Sequence, residues 1–215
     1  MRQMNSIFIF LLVLTSGSVA LAQTERAGRI APLAQPGMAV AQEHADEHTT
    51  ALDAQRERQA LQVFLKLGQR IIVSAADAMP ADKYGFAPTD GEFKGVRTFG
   101  QQVKHLAATN NILAAAALGE ESPTGAGDER GPETVRTKAE ILDYLNGSFE
   151  HLARAIEAVG DKNTRVKSSP ISPLKAAETT RLALTVEAMI HAFDHYGQVL
   201  QYLRMNGVVP PASRP

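Results

Sequence analysis

HAFDHYGQ at 191–198 places two histidines four residues apart, beside a run of apolar residues. On a helix, four residues advance the axis by about 6 Å and the side chains lean the same way. His191 and His195 can therefore converge on one cation. A pair does not close a metal site, so a third donor has to arrive from another helix. VKHLAATN at 103–110 supplies His105. Neutral imidazole is a good ligand for zinc, nickel, iron or copper. Three imidazoles and an open fourth position form a catalytic arrangement, whereas a closed structural site takes four protein ligands. The plainer role is three separate polar residues, each satisfied by a hydrogen bond, and spacing alone leaves both roles open.

The neighbours divide in the same way. Gln198, one turn beyond His195, can orient that ring or hold a water. Glu187, one turn before His191, is a fourth ligand or base in one reading and a solvated flank residue in the favoured one. Asp194 rotates off the histidine line and reads as a surface carboxylate. Asn110 and Gln102 are the other polar groups that can address an open coordination position. His151, in GSFEHLARA, sits beside inward Leu152 and points elsewhere. His44 and His48 are also four apart, in a segment too irregular to hold a site.

Four helical segments have to position these side chains. The first covers about 53–79, with Leu61, Phe64, Leu65, Ile71, Ile72 and Ala75 at helical intervals and Pro80 ending it. Tyr84 and Phe86 in the following Gly- and Pro-rich stretch are expected to pack over a bundle end. The second runs from Thr98 to about Gly119, with a capping pattern in Thr98 and Gln101. Its Phe99, Val103, Leu106, Asn110 and Leu113 share one stripe, and His105 lies on the line beside it. Thr137 and Glu140 repeat the pattern and open the third helix, lined by Ile141, Leu145, Phe149, Leu152, Ile156 and Val159. The fourth spans about 176–205 and stops at Gly207 before two prolines. Heptad spacing gives it an inner stripe through Leu182, Val186, Met189, Phe193, Tyr196, Leu200 and Leu203. Leu184, Ala188, His191, His195, Gln198 and Tyr202 form the stripe beside that one. No segment alternates with period two long enough for a sheet. The expectation is an all-α, four-helix bundle over 53–211.

The remainder of the chain sets the context. IFIFLLVL at 7–14 followed by Ala20-Leu21-Ala22 reads as a signal peptide over 1–22, cleaved before Gln23. The chain is then exported, periplasmic or secreted, with no stable membrane span after cleavage. Residues 23–52 read as a flexible N-terminal segment. The 215-residue chain has no cysteine and a formal charge of −1. No thiol of its own can act as nucleophile or ligand. No basic surface invites nucleic acid as a partner.

MPADKYGFAPT at 79–89, RTFGQQVKHLAATN at 97–110 and HAFDHYGQVLQYLRMNGVVPP at 191–211 resemble the DinB-like metal-binding superfamily. The likeness extends over roughly 58–211. The last piece is the most specific, combining HxxxH, YGQ, YLR and the Gly-then-ProPro ending. The resemblance implies a bundle of up-up-down-down topology and a divalent cation (zinc, nickel or iron) held by His105, His191 and His195. Gln198 matches the glutamine after the second histidine of the helix-four pair. It also implies a homodimer. For function it implies a thiol-dependent transferase, while a metal-bound water would instead make a metal-dependent hydrolase, either one acting on a small-molecule substrate. The alternative is a non-enzymatic metal-binding or protein-interaction bundle.

Overall fold

The computed structural model describes residues 36–89, 95–123, 128–160 and 164–214, with 36–50 as helical backbone alone. The expected signal peptide and residues 23–35 lie outside the described residues. Helix α1 spans Pro36–Ala78, α2 Phe99–Leu118, α3 Lys138–Glu157 and α4 Arg181–Met205. The described part of the chain is the expected all-α four-helix bundle. Its one β feature among the described residues is an isolated bridge between Arg165 and Thr180. No described helix is long and apolar enough to cross a membrane.

The helix starts follow side-chain capping. Thr98 and Gln101 form a reciprocal capping box at α2, and Thr137 and Glu140 form one at α3. At α4 the Thr180 hydroxyl accepts from the Ala183 amide, so the helix begins later than the expected 176. Gly119 and Gly207 end α2 and α4 with φ of 76° and 70°, where a side chain would be strained. Helix α1 begins at Pro36 rather than near 53. The part of 23–52 from Pro36 on is thus helical backbone.

The helix directions run up-down-down-up, which corrects the up-up-down-down order. The Phe99 and Gly100 amides donate to the carbonyls of Phe86 and Tyr84, both 2.8 Å. These bonds start α2 at the end where α1 stops, so α2 must run back. Residues 128–137 then lie back beside the start of α2, where Lys104 Nζ donates to the Pro132 and Val135 carbonyls at 3.1 and 3.3 Å. That return makes α3 parallel to α2. Arg181 begins α4 by donating to the carbonyls of Ala117 and Ala158 at the far end, 2.8 and 2.6 Å.

Helix α2 is the central element, with 16 of its 20 residues buried or nearly so between α3 and α4. Phe99, Leu106, Leu113, Leu145, Phe149, Leu152, Leu184 and Leu203 form the core with α1 residues Leu65 and Ile72 and with Met79 just beyond α1. Tyr84 closes one end as expected, donating to the Ala76 carbonyl at 2.8 Å and packing edge-on against Phe99. Phe86 packs on Tyr202. The α4 stripes are the reverse of the expected order. Leu184, Ala188, Ala192, His195, Val199 and Tyr202 are buried, while Phe193 is 37% exposed. Small Ala188 and Ala192 let α4 approach its neighbours there, so the histidine stripe is the deeper one. Phe64, expected inward on α1, is 57% exposed.

Candidate metal centre

Because α2 and α4 are antiparallel neighbours, the second turn of α2 lies level with the middle of α4. His105 Nε2 is 3.2 Å from His195 Nε2 and 3.3 Å from His191 Nε2. The three side chains offer ligand atoms within 4.8 Å of one another. His105 and His195 are buried and His191 is half-buried. The structure therefore assembles the three sequence-predicted donors from two helices.

Two of the three outer ring nitrogens are held from behind. His105 Nδ1–H donates to the Glu129 carbonyl at 3.0 Å, and the Glu129 carboxylate lies 3.5 Å from the same nitrogen. A carbonyl only accepts, so the His105 proton is on Nδ1 and the Nε2 lone pair faces the other two rings. The Gln102 side-chain amide meets His195 Nδ1 and donates to Gln198 Oε1 at 2.7 Å. Gln198 in turn donates to the exposed Asp194 carboxylate at 2.9 Å. Gln198 thus steadies His195 through Gln102 rather than directly. His191 Nδ1 is buried with no partner among the described residues.

Burial lowers the pKa of all three imidazoles. His191 is pushed down to about 3, by burial first and then by the neighbouring His195 and His105. His195 falls to about 4, by burial and then His105. His105 is also lowered by burial, against the raising effect of the Glu129 carbonyl. All three are neutral near pH 7, the ligand form of the side chain.

This arrangement fits a metal better than three satisfied polar groups. The single Nε2 lone pair of His105 is shared by two imidazoles, and His191 Nδ1 is left unpaired. Metal–nitrogen bonds of about 2.1 Å place donors about 3.0 Å apart at a right angle and about 3.4 Å apart at the tetrahedral angle. The observed 3.2 and 3.3 Å lie between those values.

The other candidates lie elsewhere. Glu187 accepts from the Ser172 hydroxyl at 2.7 Å and is neither ligand nor freely solvated. Its pKa is raised by burial. Asn110 donates to Ser148 at 3.2 Å inside the core, so it does not address the centre. His151 pairs with Glu120 and Asn111 at 3.2 and 3.0 Å. Sequence reasoning missed Glu129, because nothing in the 121–135 loop reveals which carbonyl will fold over α2.

A family model described as the DinB superfamily matches residues 65–199, more than half of the chain and all three histidines. The fold is similar to that of a candidate DinB-family member from Exiguobacterium sibiricum 255-15, known from a crystal structure at 1.70 Å resolution. The TM-score is 0.53 at 18% identity, covering 70% of this chain and 92% of that one. No curated protein matches this sequence.

Proposed function

We propose, because this chain belongs to the DinB superfamily and converges three neutral imidazoles, that it binds a divalent transition metal through His105, His191 and His195. The convergence of the three Nε2 atoms is the observation that carries this reading. Zinc, nickel and iron each suit an all-nitrogen donor set. A cation so held supplies Lewis acidity toward a small-molecule ligand. Glu129 fixes the ring proton of His105 on the outer nitrogen, and Gln102, backed by Gln198 and Asp194, holds the ring of His195. The Glu129 contact raises the basicity of His105 and fixes its ring, whereas the Gln102 amide nitrogen, a donor toward Nδ1, fixes only the position of the His195 ring.

Two reaction classes fit such a centre, metal-dependent hydrolysis and transfer to a low-molecular-weight thiol. The chain has no cysteine, so any thiol comes from a small molecule. The second reading is a non-enzymatic metal-binding or protein-interaction bundle. It is favoured by one observation: among the described residues no Asp or Glu joins the three histidines as a further ligand. The test loads metal-free protein with zinc, nickel or iron(II) in turn and follows uptake, then turnover of ester and thiol-acceptor substrates. One ion per chain with turnover supports the enzymatic reading. One ion without turnover under any metal selects the second reading. No uptake overturns the metal centre in either reading and leaves the protein-interaction bundle.

The reading includes export and self-association. Ile7–Leu14 and Ala20-Leu21-Ala22 support export, periplasmic or secreted. Protein from the native host is expected to start at Gln23, and full-length chain in the cytosol overturns this. For the homodimer, Val63 and Phe64 on α1 and Ile190 on α4 are 65, 57 and 67% exposed. Gly68 lies close under Phe193 between these helices, so the apolar residues share one face. A second copy can cover it by presenting the same patch about a two-fold axis. Light scattering is expected to give a dimer, and a Phe64→Glu/Ile190→Glu variant a monomer. A monomeric parent refutes the dimer.

A further inference from the structure

A cavity of about 700 Å³ lies beside the histidines at the start of α2. Its lining includes Arg97, Lys104, Arg130, Glu133, Gln102 and Gln198. Gln102 is the link, since the same amide that lines the cavity touches His195. Three cationic side chains and one carboxylate line it, although the whole chain is slightly acidic at −1. The local charge is therefore opposite in sign to that of the chain.

The three cations are not equivalent. Lys104 is committed to the Pro132 and Val135 carbonyls. Arg130 is paired with Asp128 at 3.2 Å. Arg97 is exposed, and no carboxylate among the described residues pairs with it. Its backbone is fixed, because Tyr202 Oη–H donates to the Arg97 carbonyl at 2.7 Å. The first α2 amides are already used by Phe86, Tyr84 and Thr98, so an incoming anion must be taken by side chains.

We infer that this cavity is the substrate site and that Arg97 anchors an anionic group, carboxylate or phosphate, of a small molecule reaching toward the three-histidine centre. Guanidinium matches either anion with two parallel N–H donors. The inference rests on the metal reading only for the far end of that molecule.

The test uses Co²⁺-loaded and metal-free protein, titrated with succinate, inorganic phosphate and neutral succinamide. Calorimetry reads binding and the visible absorption of Co²⁺ reads approach to the centre. Succinate or phosphate is expected to bind with succinamide at least tenfold weaker, and which anion binds identifies the source. Arg97→Gln is expected to weaken anion binding about tenfold and Arg97→Lys to restore part of it. Co²⁺ affinity and helical signal are expected to be unchanged in both variants. Equal binding of succinamide, unchanged anion affinity in Arg97→Gln, or no anion binding to the Co²⁺-loaded parent overturns the inference. Failure of the metal reading looks different: no Co²⁺ uptake, with Arg97-dependent anion binding intact in the metal-free protein.

Discussion

Replacing His105 by alanine tests fold and site together, because His105 is the donor that α2 contributes to a pair on α4. The substitution removes the Nε2 atom lying 3.2 and 3.3 Å from its partners. Structural zinc sites bind with about 10–16 kcal/mol from four ligands, or about 3 kcal/mol for each donor. Loss of one of three donors is thus expected to weaken the affinity about a hundredfold. The Glu129 carbonyl loses its donor in the variant, but Glu129 is half-buried in a surface loop where water can replace it. The apolar core does not depend on this ring, so the metal-free variant is expected to stay helical. Competition against a chromophoric chelator at pH 7.5 compares the parent, His105→Ala, His191→Ala and His151→Ala. His105→Ala and His191→Ala are expected to lose similar affinity, and His151→Ala, held by Glu120 and Asn111 away from the centre, almost none. Parent-like affinity in His105→Ala would remove α2 from the site and refute the reasoning.

Three further outcomes follow from the same geometry. His191 and His195 have folded-state pKa values of about 3 and about 4, below the usual 6.5 of an unfolded chain. The unfolded chain therefore takes up protons first, and the metal-free protein is expected to lose stability as pH falls from 6.5 toward 4, with full stability above 6.5. Urea midpoints across that range check this, and a midpoint no more pH-sensitive in the parent than in His191→Ala would sink it. Gln102→Leu leaves His195 Nδ1 without its neighbour and is expected to weaken metal binding about tenfold or more, read by the same chelator competition; unchanged affinity would show that the contact is idle. Gly131 has φ of 71°, and a Cβ there would lie 3.1 Å from Lys104 Cγ and 3.2 Å from Tyr144 Cε1. Gly131→Ala is expected to cost about 1–2 kcal/mol in denaturant unfolding and to weaken metal binding by moving Glu129; a parent-like midpoint would refute the packing argument.

Much of the fold was legible because it depends on local chemistry. Thr98 with Gln101 and Thr137 with Glu140 encode helix starts within four residues, and Gly119 and Gly207 encode stops. The HxxxH spacing encodes two imidazoles on one face, since a helix fixes that relation before it packs on anything. The need for a donor from another helix and the place of His105 beside the α2 stripe brought it into the set, and the resemblance agreed. Which α4 stripe lies deepest was not legible. Side-chain size suggested the Phe193 line, but close approach of helices depends on small residues, and Ala188 and Ala192 decided it. Helix direction also escaped, because it rests on Phe99 and Gly100 bonding back to Phe86 and Tyr84. The neighbours of the site, Glu129 behind His105 and Arg97 lining the cavity, lie outside the helices. Their positions follow from how two connecting segments fold across α2. Helical periodicity relates residues within one element, whereas contacts between elements arise only when the chain closes on itself. The sequence by itself determined the three candidate histidines; the tertiary structure decided how they converge, what holds them and what faces them.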